Sequence, residues 1–304
     1  MSQPKKQHWV PQFYLRYFAT PETRGTDQPL ATILSKDPED GDEVLTHVKH
    51  ICATRYLYSP KSASGGRAWD LEYQLCDLEG LLSQLWPALA TDFVNLADVA
   101  VRQAVALFVA AMHVRHPDSL AAARHIHASI VSVVEEGPLR IDGSPDVDAL
   151  EIAGRWFPLD SQNWQSYRSW GPDDHHRFFA GTLRGQAGHV AKLLLKKRWS
   201  MLIAEEDTFI TSDKPVGLQH QEKDVVGVAT PNVIITFPVS PRRLLVMDDR
   251  YEQPANQYYP LKPHAGALAN LLIWRNGTRF MVTGRRIREV LQELADTASS
   301  LDDG

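Results

Sequence analysis

The sequence predicts an α+β fold, with a central helical bundle packed against one or two small, mostly antiparallel sheets. Three observations carry this. Apolar residues alternate with a period of two in short runs up to residue 58, and they do so again from residue 199 onward. Between those stretches, residues 69–198 carry helical spacing. The order strands, helices, strands, helix does not alternate as a doubly wound sheet requires, so both ends of the chain are expected to supply the sheets.

The elements follow in order. Pro11 suits the first turn of a short helix bearing Phe13, Leu15, Tyr17 and Phe18, because its missing N–H costs nothing there. A loop over residues 20–30 leads to strands at Leu30–Leu34, Val44–Val48 and Arg55–Tyr58, with a turn at Asp37–Asp42. Ser and Gly between Pro60 and Gly66 mark a connector. From Asp70 to Trp86 the leucines 71, 75, 78, 82 and 85 keep a helical spacing, which Pro87 is expected to end. Thr91–Val114 reads as one or two helices, the second buried nearly all round. Pro117 restarts a helix to about Val134, residues 136–173 look irregular, and His175–Arg198 is helical again. Strands are expected at Trp199–Ala204, Thr208–Ser212, Val233–Val239, Leu244–Met247 and Phe280–Val282, with helices at 262–273 and Arg285–Ala295. One domain over residues 1–298 results: an N-terminal motif and small sheet at 1–60, a helical middle at 69–198, and a C-terminal sheet and helices at 199–298. Residues 299–304 read as a frayed tail.

Bulk composition excludes several classes. With 304 residues, 43% of them hydrophobic, the chain can bury a core without disulfides or metals to staple it. The formal charge of −5 offers no global attraction to nucleic acid or acidic membrane, which leaves only a local basic patch. Lys5, Lys6, Lys192, Lys196, Lys197 and Arg198 would make such a patch if the fold brought them together. Cys52 and Cys76 form neither a disulfide framework nor a metal spacing, and are expected to be buried, inert thiols. No signal peptide or membrane span is legible, so a reducing cytoplasmic location is the expectation.

Candidate chemistry sits in two stretches. Within His8–Phe18, the polar residues His8, Gln12, Tyr14 and Arg16 are interleaved with aromatic and aliphatic anchors. Ordering that many aromatics is useful only if they are buried, so this segment should dock into the body with its polar groups aimed at a site. His8, partly buried among them, is placed to act as an acid–base group near neutral pKa. In Phe209–Val216 an apolar strand delivers Thr211, Ser212 and Asp213 at its end, where Pro215 stops the ladder. Asp213 there binds a divalent cation, acts as a general base, or caps the turn. Glu72 and Glu79 are seven residues apart and share a helix face. With Asp213 they offer hard oxygen ligands to a cation such as Mg or Mn; alternatively they form a solvated acidic face. Arg115 ends an apolar helix and must find a partner, either an anionic ligand or Glu72 or Asp213. His113, His116, His125, His127, His175 and His176 complete no zinc pattern and are read as helix-surface residues. There is no phosphate-cradling glycine loop, nucleophile elbow or dinucleotide fingerprint.

Taken together, these residues resemble a large bacterial group known only as a domain of unknown function. Its members open with His-x-Val-Pro-x-x-Tyr-Leu-x-x-Phe, matched here by His8, Val10, Pro11, Tyr14, Leu15 and Phe18. They carry two helical glutamates, an Arg-x-Pro and a Thr-Ser-Asp-x-Pro-Val, matched by Glu72, Glu79, Arg115, Pro117, Thr211, Ser212, Asp213, Pro215 and Val216. A later Pro-x-Ser-Pro turn falls at Pro238–Pro241. The resemblance covers nearly the whole chain and implies no activity.

The expectation from the residues is a hydrolase acting on a phosphodiester or other anionic substrate, in its narrowest form a nuclease in a defence or toxin setting. His8, Asp213 and Arg115 are its catalytic residues. Gln12, Tyr14, Arg16, Thr211 and Ser212 bind substrate, and Glu72, Glu79 and Asp213 hold a divalent cation. The alternative is a non-catalytic ligand-sensing or interaction domain whose motifs are structural. Convergence of His8, Glu72, Arg115 and Asp213 on one cleft is what separates the two.

Overall fold

Both ends of the chain meet in one four-stranded sheet. The computed structural model describes residues 5–37, 39, 43–62, 65–152, 155–223, 225–263 and 265–302. The elements are β1 (Lys6–His8), α1 (Gln12–Leu15) running into a 3-10 turn (Arg16–Phe18), β2 (Leu30–Ser35), β3 (Val44–His47) and β4 (Ala53–Arg55). The helices α2 (Asp70–Thr91), α3 (Val99–Val114) and α4 (Pro117–Glu135) follow. Next come β5 (Ala149–Ile152), β6 (Arg155–Pro158), α5 (Trp164–Arg168) and α6 (Pro172–Lys196). The last part holds β7 (Arg198–Ile203), β8 (Thr211–Ser212), β9 (Gly217–Gln219), β10 (Ile234–Ser240), β11 (Arg243–Asp248) and β12 (Gln257–Pro260). It closes with α7 (Ala265–Asn276), β13 (Phe280–Thr283) and α8 (Ile287–Asp302).

The four-stranded sheet has the order β3-β2-β13-β8, so N-terminal strands pair directly with C-terminal ones. The second sheet, β12-β7-β11-β10-β9, comes from the C-terminal part alone. β12 joins β7 in parallel, and the other described pairings are antiparallel. The ribbons β1–β4 and β5–β6 stand apart from both. In the helical middle, α3 packs on α6 with α2 and α4 alongside. The architecture is α+β, as the periodicity implies.

A main core cluster runs from Trp9 to Val282 and a smaller one gathers around α7 and α8. At its centre Phe13, Tyr14, Trp86, Phe108 and Phe237 bring α1, α2, α3 and β10 together, with ring centroids 5.0 to 6.2 Å apart. Aromatic pairs at such spacings add stability beyond their buried area. One hydroxyl also links the two sheets. Tyr14 Oη donates to the carbonyl of Pro238 in β10 (2.8 Å) and accepts from Thr211 Oγ1 in β8 (2.7 Å). Pro238 sits where β10 bulges, beyond its pairing with β9, so the missing N–H breaks no ladder bond.

Several expected boundaries move, each for a physical reason. α2 continues four residues past Pro87. Burial of Trp86, Leu89 and Ala90, with Trp86 Nε1 donating to Val239 O at 3.0 Å, outweighs one lost helical bond. The strand expected at Arg55–Tyr58 lies earlier, because Tyr56 takes φ of +57° and ends the extended run. The strand expected from Thr208 shrinks to Thr211–Ser212. Upstream of it, the backbone of Ile210 and Thr208 bonds the buried Asn270 amide instead of a neighbouring strand. β5, β6 and α5 emerge from the stretch read as irregular, and β9 and β12 are short strands not anticipated. α8 runs on to Asp302, through most of the expected frayed tail; residues 303–304, and most of the turn at 37–42, lie outside the described residues. Among the described residues no helix is long and apolar enough to cross a membrane.

Candidate active-site cleft

The four sequence motifs meet, but most of their polar groups face each other. Arg115, only 1% exposed, closes α3. Its Nε donates to Trp9 O (2.7 Å), its Nη1 to Glu79 Oε1 (2.7 Å), and its Nη2 reaches Met112 Sδ (3.3 Å). The partner is thus Glu79 rather than Glu72 or Asp213, and the guanidinium is committed to the protein. Trp9 in turn donates from Nε1 to Asp213 O (3.1 Å).

Asp213 is buried and fully engaged. Its carboxylate accepts from His116 Nε2 (3.0 Å), from Thr278 Oγ1 (2.9 Å), and from the backbone N–H groups of Thr278, Arg279 and Phe280 (3.1 to 3.4 Å). Burial alone would raise its pKa, but the bonds from His116, Arg279 and Thr278 prevail and hold it below the ordinary carboxylate range. Gly277 permits the packing, since a Cβ there would fall 2.9 Å from Ser212 Cβ and 3.2 Å from Asp213 Oδ1. The two oxygens expected to serve catalysis or a metal are occupied by these bonds. Asp213 is 1% exposed, and among the described residues it does not join Glu72 and Glu79 in a ligand set. Among the described residues, no group of three His, Cys, Asp or Glu side chains is arranged to hold a metal ion. Thr211 and Ser212, expected to bind substrate, are likewise buried, the first on Tyr14 and the second accepting from Lys214 N at 3.1 Å. Tyr14 is equally sequestered.

The other half of the expected site does open to solvent. His8, Gln12, Glu72 and Glu79 line a cleft of about 360 Å³ between β1, α1 and α2, together with Lys6, Tyr58 and Cys76. Arg16 lines the adjoining cleft, which shares Phe13 and Ser83 with the first.

His8 Nε2 lies 3.1 Å from the carbonyl of Lys49, which can only accept, so Nε2 carries the ring proton and Nδ1 is the free acceptor. Burial, opposed by that bond and reinforced by Lys6 and Arg115, lowers its pKa to about 4 rather than leaving it near neutral. Glu72 goes the other way: burial first, then repulsion from Glu79, raises it to about 7 against the pull of Arg115. Glu72 is therefore no solvated acidic face. Cys76 is exposed rather than buried, and burial of its thiol edge together with the nearby Glu72 and Glu79 pushes it up to about 11, so it stays protonated.

His116 was missed by sequence reasoning. Its spacing from His113 suggests a helix surface, yet it caps α4 by accepting from Asp118 N (3.1 Å) and is buried against Asp213. The signal was available: it directly precedes a helix-starting proline, where a side-chain acceptor is needed. His127 and His175 are buried as well, within an aromatic cluster with Tyr167 and Trp170. The basic residues do not converge as one patch, for Lys197 and Arg198 are paired with Asp249 and Asp248.

A family model described as a protein of unknown function (DUF4238) matches residues 6–286. The chain belongs to that family. No curated protein and no solved structure matches it. The DUF4238 match spans both the buried network and the cleft.

Proposed function

We propose that this DUF4238 protein is a hydrolase that cleaves a phosphodiester or similar anionic substrate by acid–base catalysis in the β1–α2 cleft. One observation carries the reading: His8 and Glu72 line the same cleft with pKa values displaced in opposite directions, to about 4 and about 7. A neutral imidazole is ready to take a proton and a protonated carboxyl is ready to give one, and such divergent pairs are how acid and base roles are assigned.

In the reaction, water attacks the phosphorus while His8 Nδ1 takes its proton. The bond to the leaving oxygen breaks as Glu72 gives that oxygen its proton. His8 is then the stronger acid of the two, so its proton returns to Glu72 through solvent and the cleft resets. Lys6, Gln12 and Arg16 are exposed at the mouth and bind the anion. Arg115, neutralised by Glu79, positions α2 against the N-terminal segment. Asp213 acts through structure alone.

A panel of aryl phosphodiesters and oligonucleotides, with and without divalent cations, tests this on wild type, His8→Ala and Glu72→Gln. Loss of a general acid or base costs about 10²–10⁴-fold in rate. Hydrolysis by wild type with that loss in both variants supports the reading; equal rates in all three, or none, refute it. The burial of Tyr14, Thr211, Ser212 and Asp213 favours a structural role for those motifs, and the second reading, a non-catalytic ligand-binding domain, takes over if wild type hydrolyses nothing.

A further inference from the structure

The chain carries a net charge of −5, yet one surface runs the other way. In the β1–β4 ribbon Lys6 and Arg55 are direct cross-strand partners, and both are exposed. Like charges placed opposite each other destabilise a ribbon, and an anion bound across this pair would relieve the repulsion. Among the described residues no carboxylate is paired with Lys5, Lys6, Arg55 or Arg67. Lys6 Nζ instead meets the His50 ring at 3.1 Å. Lys61, nearby, pairs instead with Asp173 at 3.3 Å.

Aromatics stand beside those cations. Tyr56 follows Arg55 with φ of +57°, a conformation that non-glycine residues hold where the fold orients a particular side chain. The Arg67 guanidinium lies 3.7 Å from the Tyr56 ring centroid, fixed there by a 2.6 Å bond to Ser59 O. Trp69 meets Tyr56 edge-on, with centroids 6.3 Å apart. Lys5, Tyr56, Arg67 and Trp69 together line a surface cleft of about 620 Å³. Lys5 lines this cleft and the next residue, Lys6, lines the one that holds His8 and Glu72. Successive side chains leave opposite sides of an extended backbone, so a bound strand that reaches both clefts crosses the edge of the ribbon.

We propose that this face binds single-stranded nucleic acid, with phosphates on Lys5, Lys6 and Arg55 and a base stacked on the Tyr56–Arg67–Trp69 platform, the strand passing from there into the His8–Glu72 cleft. Cations alone would suit any polyanion. Flat π-faces interleaved with them select a strand whose bases are unstacked, and a duplex hides those faces. The delivery of the strand into the cleft rests on the hydrolase reading above, whereas binding by the platform does not.

Fluorescence anisotropy on the full chain tests the proposal. The probes are labelled single-stranded DNA and RNA of about 12 nucleotides, within the usual site range for such platforms, together with the matching duplex and heparin. Wild type should prefer the single strands. Trp69→Leu should weaken single-strand binding about tenfold while leaving heparin unchanged. Arg55→Ala, at an exposed strand position, should reduce the slope of log affinity against log salt by about 1. The DNA and RNA arms show whether the 2′-hydroxyl is read. No binding at low salt, or equal binding of duplex and heparin with Trp69→Leu indifferent, overturns the proposal. Oligonucleotide binding with no hydrolysis of any diester in the panel overturns only the hydrolase reading, and cleavage of a small aryl diester without oligonucleotide binding overturns only this one.

Discussion

Removal from water acts on His8 and Glu72 in opposite senses, because in each it disfavours the charged form. That one cause leaves the imidazole neutral and the carboxyl protonated between about pH 4 and about pH 7. It also carries a stability consequence. Between about pH 4.5, the ordinary carboxyl value, and about pH 7, folded Glu72 holds a proton that the unfolded chain has released, so stability falls as pH rises across that window. Glu72→Gln should remove this slope. Its free energy of unfolding in urea should match wild type near pH 4 and exceed it at pH 8, by about 1–2 kcal/mol after allowance for solvent screening. Asp213 has the opposite sign. Its depressed pKa contributes stability above the ordinary value of 3.8 that is lost as pH falls through the folded value. Asp213→Asn turns an amide NH₂ toward backbone donors and should cost about 3–5 kcal/mol in urea unfolding. A loss below about 1 kcal/mol would mean that the carboxylate is not the buried hub described. The residue types at these positions were legible in the sequence, but their burial was not. Asp213 and Glu72 look alike as letters, and only packing makes one a hydrogen-bonded anchor and the other a perturbed acid.

At the level of elements, α2 and the Tyr14 bridge show where local rules yield to tertiary ones. The leucine spacing of α2 is plain in the sequence, whereas its passage through Pro87 depends on Trp86 reaching β10. Since Pro87 is exposed, Pro87→Ala should restore a helical bond without disturbing the core and raise stability by up to about 3 kcal/mol. Unchanged or lower denaturant stability would show that the proline is matched to a bend that packing requires. Tyr14→Phe removes the hydroxyl shared by β8 and β10, taking a partner from both Thr211 Oγ1 and Pro238 O, and should cost about 1–3 kcal/mol. Strand and helix periods made most long elements legible. The short β12 was not, because it owes its pairing to β7, a partner distant in sequence.

Across the whole molecule, the opening segment ties the two ends of the chain together. Its aromatics signalled docking correctly, and Trp9, Tyr14 and Phe18 are indeed buried. Its polar groups divide: Tyr14 turns inward, while His8, Gln12 and Arg16 face solvent-accessible clefts. Deleting all residues before Pro11 should abolish the cooperative unfolding transition, because Gln7, Trp9 and Val10 each fill buried positions joined to β4, β8 and α3. The division of polar groups also locates the central claim, that chemistry belongs to the cleft and not to the buried Thr-Ser-Asp motif. The pH–rate profile of phosphodiester hydrolysis tests it most directly. It should show a plateau between about pH 4, where His8 loses its proton, and about pH 7, where Glu72 loses its own, with the alkaline limb absent in Glu72→Gln. A profile that keeps both limbs in Glu72→Gln and His8→Ala would contradict the claim.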